Sequence, residues 1–147
     1  MIILEQKWAF VDFLNEKIDT GFTLDTCRTI ANVDRHGSIR GVVAFSDFST
    51  KGSLMHVASD GSSRWCTRSF IITSFDYAFV DCGWDRLTAL VDKRNEDAFK
   101  FDTHIGFQVE GVLRDANGSN LDSWVLGFTK RDWWSSKWSD HYKDKAA

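Results

Sequence analysis

The 147-residue chain contains no proline. Glycine and asparagine must therefore mark its turns, and helices must end at caps or left-handed residues. Its three cysteines, Cys27, Cys66 and Cys82, form no CxxC pair and leave an odd thiol. That argues against a disulfide framework and predicts a reducing, cytoplasmic setting. Long hydrophobic runs are missing too. The most apolar stretch, residues 70–80, is broken by Thr73, Ser74 and Asp76, so no membrane span is expected. Glu5 and Lys7 interrupt the N-terminus before the apolar core of a signal peptide could develop. There is no excess of positive charge: eighteen basic residues against twenty-one acidic ones leave a net charge of −3. General nucleic-acid binding is not expected from such a balance, although a local basic patch stays open.

Several catalytic signatures are absent as well. Neither GxxxxGK nor GxGxxG occurs, so no Walker or Rossmann phosphate loop is written here. His36, His56, His104 and His141 show no HExxH or HxH spacing and no cysteine pair joins them, so no metal site is expected. Gly61-Ser62-Ser63 is no nucleophile elbow, since GxSxG is missing. What the chain has in quantity is aromatic surface, with seven Trp, twelve Phe and two Tyr. This is far more apolar area than a disordered chain carries, and it predicts one folded domain. Residues 1–133 are expected to form that domain and residues 134–147 a polar tail. Trp133, Trp134 and Trp138 at this end are expected to pack back on the domain, with a partner-binding surface as the alternative.

Periodicity places the elements. Leu4, Trp8, Val11, Leu14 and Ile18 are spaced three and four apart, which predicts a helix over residues 3–19 with Gly21 as its stop. Residues 27–33, 39–45 and 53–58 are β-type runs separated by polar, glycine-containing turns, predicting an antiparallel meander. Trp65, Ile72, Phe75, Phe79 and Cys82 then follow a helical period, with Ser62 or Ser63 as cap and Gly83 as stop. Residues 87–91 predict a short central strand covered on both faces. Asn95 caps a helix whose first turn holds Glu96 and Asp97, whose inner stripe is Ala98, Phe101 and Ile105, and which Gly106 ends. Two final strands, 107–113 and 121–130, flank the hairpin signal Asp115-Ala116-Asn117-Gly118. The order predicts a mixed α/β (α+β) fold with one parallel crossover near Leu87.

The strand–turn–helix over residues 55–68 is the first site with chemistry. A helix start carries unpaired amides and a positive dipole end, and Ser62, Ser63, Arg64, Thr67 and Arg68 add hydroxyls and guanidinium groups suited to a pyrophosphate. An ordinary capped helix would show the same residues.

The C-terminal half is more specific. Residues 95–107, from Asn95-Glu96-Asp97-Ala98 to Gly106-Phe107, resemble the N-x-x-A/S…GF segment of the GNAT superfamily of N-acetyltransferases. Gln108-Val109-Glu110-Gly111-Val112-Leu113-Arg114 continues like the GF-x-x-EG-x-x-R strand of the ribosomal-protein N-terminal acetyltransferase branch. Asp122, Trp124-Val125-Leu126-Gly127 and Arg131-Asp132-Trp133 are similar to that branch's closing strand. The likeness covers residues 29–133. It implies a mostly antiparallel sheet of six to seven strands flanked by helices, acetyl-CoA as cosubstrate, and an amine acceptor: a protein N-terminus, a lysine or a small molecule. The acetyl group would pass by direct attack in a ternary complex.

The resemblance would lay the pantetheine arm along Met55, His56 and Val57, and the pyrophosphate on amides of Ser62, Ser63, Arg64, Trp65, Cys66 and Thr67, with Arg68 adding charge. Asn95 would stand near the pantetheine. The family's Q/R-x-x-G-x-G/A loop is absent, and Trp65 and Cys66 stand near its end. Where many relatives carry a Tyr acid, this chain has Asp102, which reads as a solvated or helix-surface residue. Candidates for the base are His56, by its intrinsic pKa, and Glu110, which would otherwise orient substrate or stabilise its strand. These departures motivate a second expectation: the fold retained as a binding or inhibitory module. Compact, divergent members of this kind look like those encoded by bacteriophages, where a host protein would be the partner.

Overall fold

A computed structural model describes residues 1–146; Ala147, the end of the tail set apart above, lies outside the described residues. Strands β2 (Cys27–Val33), β3 (Ile39–Ser46) and β4 (Gly52–Ser59) form the expected antiparallel meander. Strand β1 (Ile2–Ile3) adds to the free edge of β2, and helix α1 (Trp8–Ile18) lies across β2, β3 and β4. Helix α2 (Arg68–Asp76) runs on into a π-helical turn at Tyr77–Asp81, and Gly83 follows with a left-handed φ of 67°. Then come β5 (Arg86–Asp92), α3 (Glu96–Ile105), β6 (Gln108–Leu113), β7 (Ser123–Thr129), α4 (Lys130–Ser135), a 3₁₀ turn at Lys137–Ser139 and α5 (Asp140–Ala146). The seven strands are ordered β1-β2-β3-β4-β5-β7-β6. Only β4 and β5 pair in parallel. The fold is the mixed, mostly antiparallel sheet that the sequence predicts.

The main core lies on one side of the sheet. Phe45, Met55, Leu87, Ala89, Val91, Leu126 and Phe128 from the strands meet Phe70, Phe75 and Phe79 of α2 and its π turn, and Ile105 of α3. Phe128 lies 4.8 Å from Phe75 and 5.4 Å from Phe107 by ring centroids. Trp133 stacks on Phe79 at 5.3 Å, and the Trp138 indole donates to the Ile105 carbonyl at 2.8 Å. Both residues are buried in this cluster, while Trp134 stays half exposed. On the opposite side α1 buries Phe10, Val11 and Leu14 against Ala31, Val42, Ala44 and Ala58. That helix covers only β2 to β4. The same face of β5 and β7 is open, which leaves Leu90 47% exposed.

Three expectations are corrected. The first helix starts at Trp8, not near residue 3, because the chain ahead of it is captured by a strand edge. Ile2 and Ile3 pair with Asn32 and Ala31, the terminal ammonium donates to the Val33 carbonyl at 2.7 Å, and the Gln6 amide brackets Thr29 like another strand residue. Leu4 and Trp8 are consequently exposed, and the helix ends at Asp19, in the left-handed region at φ 52°, before Gly21. The second helix starts at Arg68. Its cap is Thr67, whose hydroxyl accepts from the Phe70 amide at 3.1 Å, because Ser62 is already held in a turn by Asp60. The central strand β5 alternates buried and open residues and is covered on one face only.

Candidate active site

The parallel ladder between β4 and β5 is three pairs long: Gly52 with Arg86, Ser53 with Leu87, and Leu54 with Thr88. Beyond Leu54, β4 continues to Ser59 paired only with β3, and β5 continues to Asp92 paired only with β7. The two strands therefore diverge into a V, with free backbone groups along its inner edges. Buried amides and carbonyls need partners, and an extended ligand lying in the V supplies them as another strand would. Met55, His56 and Val57 fall on the free half of β4. Alternation turns Met55 and Val57 toward the main core and His56 toward the α1 face.

Residues 60–67 follow the free end of β4 and lead into α2. The amides of Gly61, Ser62 and Arg64 are taken within the turn by the Ser59 hydroxyl, the Asp60 carboxylate and the Ser62 hydroxyl. Those of Ser63, Trp65, Cys66, Thr67, Arg68 and Ser69 have no partner among the described residues. Ser63, Arg64 and Arg68 are exposed. Free amides with two guanidinium groups form a cradle for an anion. Cys66 is no nucleophile, since burial pushes its thiol up to about 11. Asn95, at the mouth beyond β5, accepts from the Ala98 amide at 3.1 Å and so caps α3.

Trp65 is set differently from its neighbours. Its carbonyl accepts from the Asn32 amide group at 3.0 Å, and its ring packs over Gly41, where a Cβ would sit 3.0 Å from it. The indole meets Phe101 of α3 at 4.8 Å. Together with Met55, Val57 and Phe70 these rings close the space above the free half of β4 to a cavity of about 10 Å³.

On the α1 face, His56 Nε2 lies 2.7 Å from the Ser46 hydroxyl, which donates to Asp47 at 2.9 Å. A hydroxyl has one proton, so Ser46 accepts from Nε2–H and leaves Nδ1 as the basic nitrogen of His56. Burial beside Phe22 pulls the His56 pKa below its ordinary 6.5, only partly offset by the Asp47 charge. The imidazole is neutral at pH 7.

Farther along the open face, Glu110 pairs with Arg86 at 2.6 Å, and the Arg86 Nε donates to the Thr88 hydroxyl at 3.1 Å. The pair lies flat on the sheet over Gly127, where a Cβ would collide with both the carboxylate and the guanidinium. A bulge in β6 between Val109 and Gly111 turns Glu110 onto this face. Arg86 and Ser46 join the site through strand pairing alone, with no local motif to mark them, and Gly127 of the closing strand joins it as the bare surface under the ion pair.

Asp102 is corrected as well. It is 8% exposed, on the inward face of α3 with Phe101 and Ile105, and is the only Asp, Glu, Lys, Arg or His among the described residues that is buried. Burial without a paired charge pushes its carboxyl up to about 7. Among the described residues no three His, Cys, Asp or Glu side chains gather as a metal-binding group, and no helix is long and apolar enough to cross a membrane.

Neither a protein-family model nor a curated protein matches the sequence. Solved structures do match. A mutant of spermidine N-acetyltransferase from Vibrio cholerae is similar with a TM-score of 0.75 and 13% identity, over 92% of this chain and 98% of that one. The manganese complex of the spermidine/spermine N-acetyltransferase from the same organism gives 0.71 and 13%, over 98% and 95%. Ribosomal-protein-S5-alanine acetyltransferase from Vibrio fischeri gives 0.64 and 21%, over 74% of this chain and 64% of that one. At these identities the likeness is one of fold. The chain adopts the GNAT N-acetyltransferase fold.

Proposed function

We propose that the chain is an acetyl-CoA-dependent N-acetyltransferase acting on an amine by direct attack. The observation that carries this is the three-pair ladder between β4 and β5 and the V beyond it. The residues present fit the cosubstrate: free backbone along Met55, His56 and Val57 suits the amide groups of a pantetheine arm. Unpaired amides of Ser63, Trp65, Cys66 and Thr67, with Arg64 and Arg68, suit its pyrophosphate. Asn95 stands at the mouth of the same V. When bound, acetyl-CoA supplies the acetyl group as an activated thioester.

The chain's own work is positioning and proton handling. His56, neutral and anchored through Ser46, takes the proton that the amine sheds as its nitrogen bonds to the acetyl carbon. Asp102, buried on α3 between Phe101 and Ile105 that line the cavity under Trp65, and with its carboxyl pushed up to about 7, is the candidate acid for the departing thiolate. Glu110 is held by Arg86 and orients the acceptor rather than acting as the base. The direct test follows free CoA thiol released from acetyl-CoA across a panel of amines. Spermidine and an N-terminal alanine peptide come first, since similar structures carry those acceptors in their names. Release that depends on the amine supports the proposal; none from any class of amine rejects it.

Trp65 favours a second reading, in which the fold is a binding module for a host protein. An indole that must move before the V can be filled reduces apparent affinity by the fraction of open molecules. Trp65→Ala is therefore expected to tighten acetyl-CoA binding about tenfold if the chain is a transferase. Absence of acetyl-CoA binding in both proteins, by calorimetry, would favour the binding module.

A further inference from the structure

A second concavity lies at the closed end of the V, where β4 and β5 begin and β7 passes into α4. Its volume is about 780 Å³, the size of a small-molecule site. Lys51, Arg86, Lys130 and Arg131 line it against one carboxylate, Asp85, and the half-exposed indole of Trp134 flanks it. Backbone bonds from Asp85 to Lys51 at 2.7 Å and from Lys130 to Asp85 at 2.8 Å stitch the three contributing segments together. The cations are thus carried on a fixed frame. Arg86 is engaged with Glu110, but Lys51, Lys130 and Arg131 make no ion pair among the described residues. A chain of net charge −3 has gathered a surplus of positive charge in one hollow.

The position of the hollow gives it a use. Arg86 pairs with Gly52, two residues before the Leu54–Thr88 pair at which the strands part. At about 3.3 Å per strand residue, the Arg86 backbone lies roughly 7 Å from the apex of the V, and its guanidinium reaches back over Gly127 to the Thr88 hydroxyl, at the level of the apex pair. Arg86 and Thr88 share the open face of β5, on the side of the sheet to which His56 turns. A ligand whose anionic end sits among Lys51, Lys130 and Arg131 can run up this face and bring its other end to the apex.

We infer that this hollow anchors the acceptor by an anionic group, so the acceptor is a small amine bearing a carboxylate or a phosphate at its far end. The inference rests on the acetyl-transfer proposal for its use of the amine; the anion site itself does not. A polyamine meets like charge at the three unpaired cations, Lys51, Lys130 and Arg131, and is disfavoured. This separates the chain from the spermidine enzymes that share its fold.

The test uses the full chain, a Trp134→Phe control and a Lys130→Glu/Arg131→Glu double variant. The probes are 5-aminopentanoate for the carboxylate source, 3-aminopropyl phosphate for the phosphate source, 1-aminopentane as the uncharged-end control, and spermidine. Binding is read by tryptophan fluorescence without acetyl-CoA, and acetylation by thiol release. Either anionic amine should quench the wild-type signal in a salt-dependent way, and the larger effect identifies which anion the hollow prefers. The quench should vanish in the double variant and in Trp134→Phe. In turnover, kcat/KM for the better anionic amine should exceed that for 1-aminopentane at least tenfold, with spermidine lowest. The double variant should abolish that preference through KM while leaving kcat within about twofold. Absence of quenching by either anionic amine at millimolar concentration overturns the inference, as does equal turnover of spermidine. If quenching persists while no amine is acetylated, the anion site stands and the transferase proposal falls. If amines are acetylated without any anion preference, the reverse holds.

Discussion

Replacing Asp102 with asparagine is expected to stabilise the fold at pH 8 relative to pH 4, by up to about 4 kcal/mol more than the parent chain shows between the same limits. The cause is burial, which pushes this carboxyl from its ordinary 3.8 up to about 7. Below about pH 4 it is protonated in both the folded and the unfolded chain and costs nothing. Between pH 4 and 7 the unfolded chain releases the proton first, so parent stability falls through this window, and the loss is complete above pH 7. Asparagine does not ionise and lacks the fall. A constant offset from burying the amide cancels when the two pH values are compared. Urea unfolding of both proteins from pH 4 to 8 measures the difference; parallel pH profiles would show that Asp102 is not held as described. A buried acid that weakens its own fold fits a functional group, so the same variant should also turn over more slowly at pH 7.

His56→Gln is expected to lower kcat/KM about 100-fold, the ordinary range for loss of a positioned base. Glutamine keeps a donor for Ser46, so the cluster with Asp47 can persist while the basic Nδ1 is lost. The pH profile separates chemistry from packing. Burial lowers the His56 pKa, so the parent rate should fall with acid only below 6.5, and the variant should lack that limb. A variant with parental rate and an unchanged acid limb would remove His56 from the mechanism.

The meander, α3 and the final hairpin were legible because each is written locally. Short β-type runs bounded by polar turns mark β2 and β3, Asn95 caps α3, and Gly106 stops it at a φ of 124° that other residues rarely adopt. The start of α1 was not legible, because Ile2, Ile3 and Gln6 are drawn to an edge of β2 that exists only once the sheet has formed. The start of α2 was hidden by competing caps: Ser62, Ser63 and Thr67 all qualify by type, and Asp60 decides among them. Asp102 was misread because a carboxylate at that point of the helical period fits either an exposed flank or an inward face. The Arg86–Glu110 pair needs a bulge in β6 and a bare Gly127 beneath it, neither of which the residues announce. The parallel crossover near Leu87 was legible from strand order, but the V shows only in the short β4–β5 ladder, and its closure by Trp65 depends on Gly41 and Asn32, more than twenty residues upstream.

The most direct measurement is calorimetric titration of the wild-type chain and an Arg64→Ala/Arg68→Ala variant with acetyl-CoA and with CoA. Micromolar binding, about −8 kcal/mol, weakened several-fold in the variant, is the result expected if the V and the free amides beside it hold the cosubstrate. No heat and no thermal shift at millimolar ligand would contradict the account and leave the chain a transferase in fold alone.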